Sequence, residues 1–376
     1  MKKVIVIGAG ILGASTAYQL TKLGADVTII DRRDVGQATD AAAGIICPWI
    51  SQRRNKKWYS LAKAGARFYP SLIEELEHSG QFQTGYARVG ALCIHQDHGK
   101  LAAIKERAEL RKVDAPEMGE LTLLSEREAR ERFPLLTEGY AALHVAGAAR
   151  VDGRQLRDAL LGAAQHNGAK LITGDATLEH SDGEITAVNI NSQSLTADEV
   201  IVCAGAWSNA LLHPLGIMID VRFQKAQIMH FLDQVNEDET AQWPVIMPPS
   251  DQYLLAFDEG RIVAGATHEN DVELSDTSFT AGGMQEILIK GLTIASGLAN
   301  CSFSEIRVGF RPFTADFLPV LGRVSGWRKL IVANGLGSSG LTMGPFLGGQ
   351  IAKLAMNMEA DINLDDYAVE QAIIHS

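Results

Sequence analysis

Cysteine is scarce in this chain, and what there is lies scattered. Cys47, Cys93, Cys203 and Cys301 form no CxxC pair and stand in no zinc-type spacing with histidine. That argues against a metal centre or a disulfide scaffold and suits a reducing compartment. Long apolar runs are missing too: nothing approaches the ~20 residues that cross a bilayer. The expected location is the cytoplasm, with peripheral contact at the inner face of the membrane left open. Basic residues are outnumbered, 34 against 45 acidic ones, for a net charge of −11. Such a field repels a phosphate backbone, so nucleic acid is not an expected partner. The 11 prolines are too few for a low-complexity chain, and no repeat of solenoid length is visible.

What remains is ordinary globular composition, 46% hydrophobic and 21% charged over 376 residues, a length that suits two domains. Glycine is in excess, with 36 residues against a usual ~7%. It is spent where backbone must turn tightly or approach a ligand. Met1-Lys2-Lys3 and the apolar run after it superficially resemble a signal peptide. Gly8, Gly10 and Gly13 interrupt that run, however, and no cleavage-type site follows, so the segment reads as a strand of the mature fold.

Residues 4–7 read as a buried parallel strand. Residues 11–23 read as a helix closed by Gly24, and 26–30 as a second strand closed by Asp31. A helix over 58–78 should kink or break at Pro70. A charged helix over 100–112 lies among short strands, a helix over 155–167 ends at Gly168, and 199–203 is an apolar strand. From 215 to 280, alternating runs such as Tyr253 to Phe257 and Ile262 to Ala264 flank the turn Asp258-Glu259-Gly260. They read as antiparallel sheet. A strand over 330–333 precedes a helix from about Pro345 to Asn357. The predicted class is α/β, a Rossmann-like domain with an inserted antiparallel-sheet domain of α+β type.

Gly8-Ala9-Gly10-Ile11-Leu12-Gly13 is a GxGxxG turn between the first strand and the first helix. Gly8 permits the tight turn, Gly10 lets a pyrophosphate approach the backbone, and Gly13 lets helix and strand pack closely. The phosphates then meet the free N–H groups and positive dipole end of the helix N-terminus. Asp31, about 20 residues beyond Gly13, suits a ribose diol. Its carboxylate disfavours a 2′-phosphate, although Arg32 and Arg33 beside it keep NADP open. The motif alone does not separate FAD from NAD.

Three further segments bear on that choice. One runs from Gly36 to Ile46 and includes Ala38, Thr39, Ala43, Gly44 and Ile45. Its small residues let a flat ring lie against backbone N–H donors, which would stabilise negative charge on a reduced flavin. The second is Ala204-Gly205-Ala206-Trp207-Ser208, after the 199–203 strand. The third joins Gly309-Phe310-Arg311-Pro312, through Asp316 and Pro319, to Gly335-Leu336-Gly337-Ser338-Ser339-Gly340-Leu341-Thr342. With Val151-Asp152-Gly153 and the strand pair 252–257 and 260–267, this ordered set resembles the family of FAD-dependent D-amino-acid and glycine oxidases. That family takes in sarcosine oxidases and D-amino-acid dehydrogenases, and the resemblance covers nearly the whole chain.

The resemblance implies an enzyme that oxidises the C–N bond of a small amino acid: a D-amino acid, glycine or an N-substituted glycine. Hydride passes to flavin N5, the imino acid hydrolyses, and oxygen or a quinone takes the electrons. Arg311 matches the arginine that binds the substrate carboxylate, and Tyr253 a second carboxylate contact. Thr177 is matched to a backbone contact with adenine. The turn from Gly337 to Thr342 would meet the carbonyl edge of the flavin. The FAD domain would comprise 1–80, 146–215 and 305–376, and the substrate domain 81–145 and 216–304. Two departures stand out. Ser338 occupies the position of a further arginine in glycine oxidases. No cysteine lies near Arg311, where monomeric sarcosine oxidases tether flavin, so non-covalent FAD is expected. Arg53 and Arg54 read as a solvated basic loop, and no histidine stands out as catalytic. The competing readings are an NAD-dependent dehydrogenase and a flavin-binding protein without amine chemistry.

Overall fold

The computed structural model describes residues 1–374 of the chain; His375 and Ser376, the end of the last expected segment, lie outside the described residues. Two sheets form its frame. The first has six strands in the order Val320–Arg323, Leu330–Asn334, Glu199–Val202, Lys3–Ile7, Asp26–Asp31 and Lys170–Thr173. All neighbours run parallel except the edge pair Val320–Arg323 and Leu330–Asn334. In the central strand, Val4 and Val6 join one apolar cluster while Ile5 and Ile7 join another. A strand covered on both faces needs apolar side chains in both directions, hence the unbroken run.

The second sheet has eight strands: Ser302–Thr314, Val221–Leu232, Arg261–Gly265, Tyr253–Ala256, Val245–Met247, Ala91–His95, Ala141–Val145 and Leu121–Leu124, in that order. It is antiparallel apart from one parallel pair, Val245–Met247 with Ala91–His95. Those two strands come from distant parts of the chain and are joined by a long crossover, which is how parallel neighbours must be connected. The longest strand, Ser302–Thr314, runs on past residue 304 and ends beside the first sheet's loops.

Two helices correct the sequence reading. The helix Lys56–His78 passes through Pro70 without a break. Proline sacrifices one N–H and crowds a carbonyl, but this helix buries a long stripe, including Trp58, Leu61, Tyr69, Leu72 and Leu76. Packing outweighs the local penalty. The C-terminal helix, Gly340–Ala355, begins well before Pro345. Pro345 has no N–H to offer the Leu341 carbonyl four residues back, and the Tyr69 hydroxyl donates to that carbonyl instead. The buried acceptor is thereby satisfied from a neighbouring helix. These helices touch at backbone distance, since a Cβ on Gly65 would lie 2.1 Å from the Thr342 carbonyl oxygen, and the C-terminal helix packs equally closely on Ile11–Lys22, where a Cβ on Gly348 would lie 2.5 Å from the Ser15 Cβ. Among the described residues no helix is long and apolar enough to cross a membrane.

Candidate functional site

A cavity of about 630 Å³ opens between the two sheets. One wall is the carboxyl-terminal edge of the parallel strands, with Ile7, Asp31, Cys203 and Asn334, where open α/β sheets hold their ligands. The other wall comes from the large sheet, with Ala226, Met247, Tyr253 and Arg311. Of the candidate carboxylate-binding pair, Arg311 and Tyr253, and the candidate cofactor residues, all line this cavity except Gly13 and Ser339. Gly13 packs inward: a Cβ there would lie 1.8 Å from the Gly8 carbonyl oxygen. Ser339 is buried, and its Oγ accepts a hydrogen bond from Trp58 Nε1 at 3.2 Å. Both support the wall from behind. Thr177 starts the strand Thr177–Ser181 and lines the cavity with Gly174 and Leu178.

The three glycines of the turn differ in a way that tests the cofactor. Gly8 has φ +101° and a Cβ there would meet the Cys203 carbonyl oxygen at 2.4 Å, so the protein's own backbone requires it. The packing of Gly13 is equally tight. Gly10 is in neither position: its φ is −66°, and a Cβ would meet only the Thr39 hydroxyl, at 3.3 Å. Nothing in the folded chain demands glycine there. A ligand that approaches the backbone does, so the residues present fit a bound dinucleotide.

Around that turn the polar groups are prearranged. Asp31 Oδ2 accepts from the Ala9 N–H at 2.6 Å, and Oδ1 accepts from the Arg33 N–H at 2.6 Å and from Gln37 Nε2 at 2.9 Å. A carboxylate has about four acceptor positions, so room remains for a ribose hydroxyl. Arg32 is no free phosphate site: it pairs with Asp34 at 2.7 Å and Asp175 at 3.3 Å. Thr39 Oγ1 accepts from the Ile11 N–H at 2.9 Å.

Two helices begin at the cavity, Ile11–Lys22 and Gly340–Ala355, and neither N-cap residue contributes a side-chain cap. Each brings free N–H groups and a positive dipole end to the same space. Between them runs the loop Ala41 to Ile45. Gly44 has φ +88°, and a Cβ there would lie 1.7 Å from the Val151 carbonyl oxygen. Its own carbonyl accepts from the Val151 N–H at 2.9 Å, while Thr342 Oγ1 donates to the Ile45 carbonyl at 3.1 Å. The loop is thus pinned at both sides, and its Ala43 and Gly44 N–H groups donate to no other described residue.

The remaining part of the wall is cationic. Arg311 sits on Ser302–Thr314 opposite Gln224, to whose Oε1 its Nη1 donates at 2.9 Å. No carboxylate among the described residues pairs with it, and burial pushes its guanidinium below the ordinary value. Burial also pushes the Tyr253 phenol up to about 12, so it remains a neutral donor beside Arg311. His268 also lines the cavity, although no sequence pattern marked it. Burial first, then the Arg311 charge, holds it below the ordinary histidine range, while Asp251 at 3.5 Å acts in the opposite direction. Gln224 and Asp251 were equally unmarked, and Gln37 lay within the Gly36 to Ile46 segment without being singled out. Gln224 and Asp251 meet partners from other segments of the chain, whereas Gln37 reaches Asp31 in the neighbouring strand; the only local hint for His268 was its place after the Gly265-Ala266-Thr267 strand end.

Comparison with known proteins gives a consistent picture. The chain is 57% identical over 367 residues to YurR of Bacillus subtilis, an uncharacterised oxidoreductase, with 98% of each chain covered. It is 27% identical over 377 residues to the glycine oxidase of Pseudomonas putida, again with 98% of each covered. Among solved structures, iminodiacetate oxidase (IdaA) from Chelativorans sp. BNC1 superposes with a TM-score of 0.93 at 44% identity, covering 97% of this chain and 98% of that one. Glycine oxidase from Geobacillus kaustophilus has the same fold, with a TM-score of 0.84 at 23% identity over 98% and 99% of the two chains. Residues 3–354 match the family described as FAD dependent oxidoreductase, and the chain belongs to that family.

Proposed function

We propose that this protein oxidises the C–N bond of a small amino acid, which is glycine, an N-substituted glycine or a D-amino acid, to an imino acid that water then hydrolyses. FAD, held without a covalent link, supplies the acceptor for the hydride lost from the carbon that bears nitrogen. Gly8, Gly10, Ile11 and Leu12 would hold its pyrophosphate, and Asp31 its ribose, with Arg32 locked beside it. Ala38, Thr39, Ala43, Gly44 and Ile45 would border the ring on one side, and Gly337, Ser338, Gly340, Leu341 and Thr342 on the other. Thr177, Ala204, Gly205 and Trp207 would enclose the nucleoside part. Gly13 and Ser339 would act through packing alone. The division of the chain at about residues 80, 145, 215 and 304 belongs to this reading, as does an acceptor that is oxygen or a quinone.

One observation carries the substrate assignment: a half-buried guanidinium without a carboxylate partner, Arg311, in the cavity lined by the dinucleotide turn. Such a group is costly unless an anion joins it, and a carboxylate fits its planar fork with two parallel hydrogen bonds. The Tyr253 hydroxyl can donate a third. The same positive field disfavours an ammonium group, so the substrate nitrogen is held in the neutral form with its lone pair free. No protein base is needed for that step. Relatives named for the oxidation of glycine and of iminodiacetate support this substrate class. The test is anaerobic mixing of the yellow holoprotein with glycine, N-methylglycine, D-amino acids and proline. Bleaching by at least one of them is expected, and a panel that leaves the colour untouched overturns the reading.

A further inference from the structure

The loop after Ile46 carries Arg53, which the sequence suggests is a solvated charge. The structure gives it definite contacts. Its Nη2 donates to Ser338 Oγ at 3.2 Å, and its guanidinium lies over the rings of Trp58, at 4.8 Å, and Phe317, at 5.5 Å. The loop is anchored from below, because Arg111 Nη1 donates to the Trp49 and Ser51 carbonyls at 2.6 and 2.7 Å. Phe317 is an unusual platform. It is 49% exposed, and its φ of +56° lies where a bulky residue rarely sits. It stacks on Phe313 at 5.4 Å. An exposed aromatic in a strained conformation adds little to a core, and strain of this kind collects at ligand sites.

Ser338, which Arg53 touches, lines the same cavity as Arg311. Arg53 is pushed below its ordinary value by burial and by the Arg311 charge, so the two cations sense each other. Many arginines of this acidic chain are matched by carboxylates, for example Arg157 by Asp40, Arg261 by Asp152 and Arg323 by Glu199; of those that are not, Arg311 lines the cavity and Arg53 touches its Ser338. Arg53 and Arg311 have no carboxylate partner among the described residues. Arg311 is half-buried in the cavity wall, whereas Arg53 is exposed and touches Ser338, an exposed residue of the cavity lining. Two unmatched guanidinium groups at an inner and an outer position call for two anionic groups on one ligand.

We propose that Arg53 binds a second carboxylate of the substrate, so that the preferred substrate is a secondary amine carrying two carboxylates, one at Arg311 and one at Arg53. This rests on the amino-acid oxidation proposed above. The test uses the FAD-loaded enzyme with iminodiacetate and N-methylglycine as paired substrates. Thiodiacetate, which has two carboxylates and no C–N bond, serves as a binding probe followed by calorimetry. The wild type should favour iminodiacetate in kcat/KM. Arg53→Met, which keeps an apolar side chain over the rings, should lower the iminodiacetate to N-methylglycine ratio by about five- to tenfold, through KM, as expected for a partly exposed charge pair. Thiodiacetate should weaken by a similar factor, and Arg53→Lys should recover part of both effects. Equal losses for both substrates, or no change in the ratio and in thiodiacetate binding, would make Arg53 a structural prop and overturn the proposal. If neither these amines nor glycine and D-amino acids bleach the flavin, the oxidation reading fails, and thiodiacetate binding still reports on Arg53 by itself.

Discussion

Replacing Arg311 with methionine should separate function from stability. In the folded protein the guanidinium is half-buried, with Gln224 Oε1 as its one hydrogen-bond acceptor among the described residues and no carboxylate partner. A partly desolvated charge in that state opposes folding, and its replacement by an apolar side chain should stabilise by at most the low end, about 1 kcal/mol, of what is gained at fully buried ionic sites. Against this stands the hydrogen bond lost by Gln224, worth about 1 kcal/mol. Without substrate, Arg311→Met should therefore unfold close to the wild-type temperature, and it should keep its FAD. With a carboxylated substrate the balance shifts. Removing one partner of a desolvated charge pair costs ~2–5 kcal/mol, so kcat/KM should fall by about 30-fold or more at ~1.4 kcal/mol per tenfold. Thermal unfolding, flavin content and steady-state kinetics on the same preparations are the assay. A variant that is clearly less stable would make Arg311 a structural residue. Equal losses for substrates with and without a carboxylate would refute the pairing.

Three further outcomes follow from named contacts. Gly10→Val should fold normally, because a Cβ there meets only Thr39 Oγ1 at 3.3 Å, yet purify without FAD; a full complement of flavin would show that the turn is misassigned. Tyr69→Phe leaves the Leu341 carbonyl without its donor, a buried loss of ~1–3 kcal/mol, so the melting temperature should drop by several degrees; an unchanged value would mean that Pro345 needs no such partner. His230 is buried with neither ring nitrogen hydrogen-bonded, and burial, then the Arg307 charge, pushes it down to about 3, against an opposing effect of Glu305. Since its folded value lies below the ordinary ~6.5, its contribution to stability is present above that pH and is lost as pH falls toward 3. His230→Leu should flatten the acid-side decline of the melting temperature, and a parallel decline in both proteins would exclude His230 as its source.

The parts of the site that could be read from sequence were those fixed by neighbours in the chain. The strand–glycine–helix turn and Asp31 are local, and their geometry follows from which side chains are absent. The Arg311 and Tyr253 strands were found by the order of motifs, with an alternating pattern to support the second. What escaped was everything decided by packing between distant segments. Pro70 looked like a helix breaker because its penalty is local, whereas the buried stripe that overrides it is tertiary. The C-terminal helix starts early because Tyr69 serves a carbonyl 272 residues away. Arg53 is the exposed charge the sequence suggests, but its contacts with Ser338 and Phe317 come from distant segments, and His268 and Gln224 belong to no motif.

The most direct test of the central claim pairs each amino acid with the amine that remains when its carboxylate is removed. N-methylglycine against dimethylamine, and glycine against methylamine, are mixed anaerobically with the holoprotein while flavin absorbance is followed. D-Alanine against ethylamine extends the pairs to the D-amino acids. Rapid bleaching is expected from at least one of the carboxylated compounds, with slow or no bleaching by its amine counterpart. Equal rates within each pair, or no bleaching by any of the acids, would contradict the assignment.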